Sequence, residues 1–474
     1  MAKIACFTIA SRNYLSYVKV LFDSVARTNP YFRRYLCLAD VDDPATPSVR
    51  GEFDVVRADE LGIPHFEDFA FRYDIMEFNT AVKPYMCLWL FAHSDVDAII
   101  YLDPDIRCFS ALDPIVELLD NGASVVVTPH VTSPLEDGLR PNDSHLLQAG
   151  VFNLGFIALA RCAEASEFLA WWSRRMATQC INSIPDSLFV DQKWCDLLPC
   201  YVGKLAVLRR PGFNVAYWNL SERSLKVNSD GRTDCNGEPL AFFHFSGINP
   251  GNPDLLSKHQ DRHSLSTMPV VKRLVEDYTH DLKLAGWEQT RDLPYAYGRF
   301  ADGTPVRDIV RKTYRRSIRP GDLRFGSPFD AGAEAVCNVP AEGVPQSPGP
   351  RITRLMHEVF LIRPDIQAIF NLASVEGRHS FANWFEASAM REYGLDDSLV
   401  RQPRPAGPAG ARTVRTENRA NGCDTNRDHR VKRYQRLLAV ESVAIRLKRW
   451  IPPAIRARLK RYWTSYKTHV AERL

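Results

Sequence analysis

Asp103 and Asp105 close the segment Ile99-Ile-Tyr-Leu-Asp-Pro-Asp105, directly after a run of apolar residues. Two carboxylates held this close at the end of a buried strand cost free energy unless positive charge lies between them. A divalent cation supplies that charge, and carboxylate oxygens with water suit Mg2+ or Mn2+. Such a cation would neutralise a diphosphate leaving group. Asp-x-Asp pairs also occur as turns or helix caps, and the buried strand in front of this one favours the metal reading.

The elements that must position the pair can be read from periodicity. Residues 3–10, 35–39, 53–56, 98–102, 124–128 and 153–159 read as strands. Residues 14–27 carry apolar side chains at Leu15, Val18, Leu21, Phe22 and Val25, a helical spacing, and 80–93 and 164–179 also read as helices. Strands alternating with helices predict an α/β fold, a mostly parallel sheet with helices on both faces. Ligands of such sheets bind beyond the carboxyl ends of the strands, where Asp103 falls.

The chain has 474 residues, too many for one ordinary domain. At 45% hydrophobic and 11% aromatic it can bury a large core. Its net charge of +4 conceals an asymmetry: residues 401–474 sum to +14 and the remainder to −10. The predicted layout is a catalytic domain over 1–290, an extension with a Pro/Gly-rich linker over 291–350 and a small helical domain over 351–400. A disordered linker over 401–430 and a basic amphipathic helical tail over 431–474 complete it. Within the second segment, 331–350 reads as the linker itself. In the tail, Leu437, Val440, Ala444, Leu447 and Ile451, then Ile455, Leu459, Tyr462, Trp463 and Tyr466, recur at helical spacing among Lys and Arg. That pattern fits the surface of an anionic membrane or a helix packed on the acidic body. No nucleic-acid motif is present, so nucleic acid is not an expected partner. The 11 cysteines form no CxxC pair and read as reduced thiols of a cytosolic protein. The apolar start is too short for a signal peptide, and no run approaches the ~18 apolar residues of a membrane span. The expected location is cytoplasmic, peripheral to the inner face of the membrane through the tail.

Seven segments, in order, carry a family resemblance: residues 7–14 (FTIASRNY), 80–85 (TAVKPY), 101–105 (YLDPD), 150–155 (GVFNLG), 189–192 (FVDQ), 210–219 (RPGFNVAYWN) and 243–247 (FHFSG). Together they resemble glycosyltransferases of GT-A fold, close to glycosyltransferase family 8 and its bacterial capsule and surface-polysaccharide relatives. The resemblance covers about residues 3–260. It implies a GT-A, Rossmann-like catalytic domain that moves a sugar from a nucleotide-sugar donor, a UDP-sugar, to a saccharide or lipid-linked acceptor, with retention of anomeric configuration. It implies Mn2+ (or Mg2+) held by Asp103, Asp105 and His244. Thr8, Ala10, Asn13 and Tyr14 would hold the base and ribose, and Lys83 would face the donor phosphates. Asn153 and Gly155 would contact the donor sugar, with Asp191 and Gln192 as the catalytic acidic and amide pair beside it. The family follows its His-x-Ser-Gly with a Lys and an aromatic; here Lys258 comes only eleven residues after Gly247. The segment 351–393 resembles a helical module appended to such transferases.

Other classes fit less well. Haloacid-dehalogenase-type phosphatases also set Asp-x-Asp after a strand, but they follow it with Thr or Val where this chain has Ile106 and Arg107. A nucleotidyltransferase or phosphohydrolase, and an inactive sugar-nucleotide-binding scaffold, are the remaining alternatives.

Overall fold

The structure is a computed structural model that describes residues 2–41, 53–321, 326–330 and 332–400. The predicted linker 401–430 and basic tail 431–474 lie outside the described residues.

Strand β1 (Ile4–Ala10) is buried along its whole length. A strand covered on both sides must be apolar at every position, which explains its unbroken run. A 3-10 turn, Arg12–Tyr14, leads into helix α1 (Leu15–Thr28). There follow β2 (Arg33–Leu38), β3 (Asp54–Arg57), α2 (Phe66–Arg72), α3 (Ile75–Ala81), α4 (Lys83–His93), β4 (Ala98–Leu102) and β5 (Ile106–Cys108). Next come α5 (Asp113–Asp120), β6 (Val125–Pro129), α6 (Asp143–Ala149), β7 (Phe152–Ala160), α7 (Ala163–Met176), β8 (Leu205–Val207) and β9 (Phe242–His244). The main later helices are α8 (Pro269–Leu284), α9 (Asp308–Ser317), α10 (Gly332–Cys337), α11 (Arg354–Ile362) and α12 (Val375–Trp384).

Seven strands form one sheet in the order β8-β6-β7-β4-β1-β2-β3. All its pairings are parallel except those of β7, which runs against both β4 and β6. The predicted α/β architecture with a mostly parallel sheet is therefore present, β7 being its one antiparallel strand. The two-residue period of β1 divides its side chains between two cores. Ala5, Phe7 and Ile9 pack with Phe69, Phe78, Leu90 and Trp172 from α2, α3, α4 and α7. Ile4 and Cys6 pack with Leu21 and Val25 of α1 and Ile115 of α5 on the other side.

Three local expectations are corrected. The helix over 80–93 is two helices that meet at Val82. Pro84 sits in the first turn of α4, the one place where its missing N–H is harmless. The stretch 331–350, read as a linker from its Pro and Gly content, contains α10, whose Val336 and Cys337 are buried. The helical stretch 351–393 is broken into several pieces, the first ending at Ile362 ahead of Pro364.

The C-terminal helices gather their own core around Phe71 of α2, with Val310, Tyr314, Leu355, Val359 and Phe381. Polar ties reinforce this junction. Asp68 accepts from Tyr314 Oη at 2.6 Å and from Arg72 Nη2 at 3.0 Å, and Arg72 Nη2 also donates to Ile318 O at 2.9 Å. Arg311 donates to Phe71 O at 2.7 Å. The ten cysteines among the described residues are free, and no described helix is long and apolar enough to cross a membrane.

Removing one member of a buried ion pair strands the other in a low-dielectric interior. Asp68→Ala should lower stability by about 3–5 kcal/mol, read as a fall in the urea midpoint. Tyr314→Phe, which removes the hydroxyl that donates to Asp68, should cost about 1 kcal/mol. Equal effects from the two would show that Asp68 does not hold the junction.

Candidate metal centre

Strand β4 stops at Leu102 and delivers Asp103 to the carboxyl edge of the sheet. The Asp103 N–H donates to Gly155 O of β7 at 2.8 Å, and the Ile106 N–H turns back to Asp103 O at 3.1 Å. The chain then enters β5, which pairs antiparallel with β9 so that His244 lies opposite Ile106. The Phe245 N–H fixes this register on Asp105 O at 2.9 Å. A two-stranded ribbon thus carries a histidine from far along the chain to the Asp pair.

His244 Nε2 lies 3.0 Å from Asp105 Oδ1 and 3.6 Å from Asp103 Oδ2. One ligand atom from each of the three residues falls within 4.8 Å of the other two. The imidazole side chain is 4% exposed, whereas the carboxylates retain 29% and 20% and open toward solvent. Space for the ring depends on Gly155, where a Cβ would lie 2.4 Å from His244 Cε1. Trp218 meets the ring edge-on with centroids 5.2 Å apart.

The electrostatics describe a site short of positive charge. Burial raises the Asp103 carboxyl above its ordinary pKa and the like charge of Asp105 adds to it, while Lys83 and His244 pull the other way. Burial works against a charged His244, yet Asp105 and Asp103 outweigh it and hold its pKa above the usual histidine value. Two carboxylates and an imidazole with its Nε2 aimed between them form a donor set that fits a cation, Mn2+ better than Mg2+ because a nitrogen is included.

Lys83, at the start of α4, is 1% exposed and lies beneath the carboxylates. Its ammonium donates to Asp191 Oδ2 at 2.6 Å and to Leu154 O at 2.9 Å, and stands 4.3 Å from the centre of the Tyr101 ring. Burial opposes its charge, but Asp191 and Asp103 keep its pKa above the ordinary lysine value. Asp191 is 2% exposed, so the Lys83–Asp191 pair is fully enclosed. Beside it, Gln192 Oε1 accepts from the Leu154 N–H at 3.0 Å and its Nε2 donates to Ala149 O at 2.9 Å.

Asn153 links these groups. Its Oδ1 accepts from Asn214 Nδ2 at 3.0 Å and the Gly155 N–H at 3.2 Å, and its Nδ2 donates to His130 Nε2 at 3.3 Å. His130 is pushed down to about 4, chiefly by burial, and so is a neutral acceptor. Thr8 and Ala10 lie in the last three residues of β1, opposite Leu36 and Leu38 of β2. Thr8 Oγ1 and Asn13 Oδ1 are buried polar atoms with no hydrogen-bond partner among the described residues. Tyr14 is 41% exposed and stacks on Tyr17 at 4.5 Å, and the partial desolvation of its phenol, followed by Asp105 and Asp103, pushes its pKa up to about 12.

The sequence-predicted residues therefore gather along one edge of the sheet. Several neighbours were not assigned roles from sequence. Tyr101 donates to Asp103 Oδ1 and shares its strand face, a spacing of two that could have flagged it. Asn214 and Trp218 fall within the segment 210–219 that carries the resemblance, though it assigns them no role, and His130 reaches the site only through tertiary folding and left no local signal. Lys258 looks displaced in sequence, but the loop before it returns: its N–H bonds Gly247 O at 3.3 Å, and the His259 ring packs against Gly247.

No protein-family model matches the chain. It is 25% identical over 178 residues to the uncharacterized protein YfnF of Bacillus subtilis (strain 168), covering 37% of this chain and 57% of that one. It is 30% identical over 161 residues to YfnD of the same organism, covering 33% of this chain and 46% of that one. The chain thus spans about half the length of these curated relatives. Among solved structures, it is similar to a galactosyltransferase, LgtC, in complex with donor and acceptor sugar analogs, at 19% identity and a TM-score of 0.37, over 58% of this chain and 95% of that one.

The dependence on residue 155 is testable. Gly155→Ala should push the His244 ring from the carboxylates and weaken Mn2+ binding at least tenfold by calorimetry, within the 10–100-fold range for losing a ligand's support. The strain should cost only about 1–3 kcal/mol, leaving the protein folded. Unchanged Mn2+ affinity would remove His244 from the donor set.

Proposed function

We propose that the protein is a metal-dependent glycosyltransferase that takes a nucleotide-sugar donor, a UDP-sugar. The observation that carries this reading is the convergence of Asp103, Asp105 and His244 at the carboxyl edge of the sheet, with their ligand atoms within 4.8 Å of one another. Mn2+ (or Mg2+) bound there would supply positive charge to a diphosphate leaving group. The remaining roles belong to the chain itself. The buried oxygens of Thr8 and Asn13, partnerless among the described residues, with Ala10 and the Tyr14 ring, are suited to the base and ribose. Asn153, Gly155 and the Asp191–Gln192 pair border the space where the donor sugar would sit. Lys83 adds positive charge beneath that space while holding Asp191 in place.

In the reaction the bond from the sugar's anomeric carbon to the phosphate oxygen breaks, and a bond to an acceptor hydroxyl forms. The acceptor's proton passes to the departing phosphate, so no separate base is required. This is the route compatible with retention of anomeric configuration. The acceptor in this reading is a saccharide or a lipid-linked saccharide of surface-polysaccharide synthesis. An anionic membrane surface would be reached through residues 431–474.

Two experiments test the proposal. UDP-sugars incubated with the protein and Mn2+ should release nucleotide, slowly without acceptor, and EDTA should stop the release. Asp105→Ala should lower donor turnover by at least a hundredfold, the size expected when a group stabilising charge in the transition state is lost. Turnover unaffected by both would sink the metal-dependent reading.

The second concerns the tail, which carries nine Lys and Arg between Arg433 and Tyr466. Each basic residue close to an anionic surface contributes about 1 kcal/mol, screened over a Debye length of about 8–10 Å. Full-length protein should float with anionic liposomes at low salt and be released at high salt. A version ending at Val400 should stay in solution while still releasing nucleotide, and identical behaviour of the two would rule out the membrane role.

A further inference from the structure

Asp103 has two carboxylate oxygens, and the surrounding fold treats them differently. Oδ1 accepts a hydrogen bond at 2.5 Å from the hydroxyl of Tyr101, two residues earlier on the same strand face. Oδ2 is the oxygen that faces His244 Nε2, at 3.6 Å. The Tyr101 ring has little freedom to change this arrangement. It is 2% exposed and is aligned with Phe7 across the β1–β4 pair and with Ile157 across the β4–β7 pair. The Phe7 ring lies 4.9 Å from it, and the Lys83 ammonium is 4.3 Å from its centre. Lys83 is itself held by Asp191 and Leu154 O.

We infer that Tyr101 is a positioning residue that reserves Asp103 Oδ1 for itself and leaves only Oδ2 for a cation, so that the site selects against ions that prefer a two-oxygen carboxylate. The inference rests on the metal site proposed above. A carboxylate committed to one hydrogen bond can give one oxygen to a metal without losing the other's partner. Small ions of octahedral habit are well served by single oxygens. Ca2+ takes six to eight oxygens and readily accepts both from one carboxylate. An occupied Oδ1 therefore disfavours Ca2+ relative to Mn2+ without any steric wall. The same contacts run on through Lys83 to Asp191, so the enclosed ion pair braces the tyrosine that braces the ligand.

The test uses full-length protein, with free Mn2+ counted by electron paramagnetic resonance and Ca2+ added as competitor. Tyr101→Phe keeps the ring and its contacts and deletes only the hydroxyl. Its Mn2+ dissociation constant should rise by about tenfold or more, as when other groups that orient a metal ligand are removed. The concentration of Ca2+ needed to displace half the Mn2+ should fall by a larger factor than this weakening alone accounts for. A merely structural tyrosine would not move that ratio. Tyr101→Met, which fills the space with no hydroxyl, should shift the ratio in the same direction, and thermal unfolding confirms that each variant is folded. Wild-type values for both affinity and the Ca2+/Mn2+ ratio in folded Tyr101→Phe overturn the inference while leaving the metal site intact. Failure of wild-type protein to bind Mn2+ overturns the site and this inference with it.

Discussion

Two carboxylates at the end of a covered strand repel each other and lose water, and much of the surrounding architecture answers that one electrostatic problem. Asp103 and Asp105 are met from one side by His244 and from below by Lys83. Neither cation comes from the strand that bears the acids. The histidine needs a ribbon, β5 against β9, to reach them, and the lysine needs a helix whose first turn points into the core. Gly155 must then stay bare so that the ring fits. Each of these is a sequence choice made at a distance for the benefit of two side chains.

The enclosed Lys83–Asp191 pair is the less obvious half of this arrangement. A buried ion pair seldom adds much to stability, because the desolvation of both partners consumes most of their attraction. Its value here lies in geometry. It fixes a carboxylate next to Gln192, supports the Tyr101 ring and leaves a positive charge near Asp103 whatever the state of the rest of the site. The polar layer of Asn153, Asn214 and His130 extends this rigidity to the neighbouring strands.

Much of this was legible in the sequence. The strand ending at Asp103 announced itself because a strand covered on both faces has no polar position to interrupt it. The convergence of His244 with the Asp pair was expected only from the likeness to a family of transferases, since no periodic signal connects residues so far apart. Burial of Lys83 was not legible: a lysine at the start of a helix looks the same in sequence whether it faces solvent or an acidic partner. The helix break at Val82 was marked by Pro84, whereas the helix hidden in 332–337 was masked by the glycines and prolines around it. Contacts of His130, Asn214 and Trp218 depend on how loops cross, which local pattern does not encode.

The ribbon that brings His244 to the acids also sets a schedule for the molecule's making. About 140 residues separate Asp105 from His244. At a synthesis rate of roughly 5–20 residues per second, the acidic pair leaves the ribosome on the order of ten seconds before its histidine. For that interval the growing chain carries the two carboxylates without the imidazole that completes the group. The three-residue group is complete only when β9 closes onto β5, so a cation held there would meet its full donor set in the finished fold and not in the nascent chain.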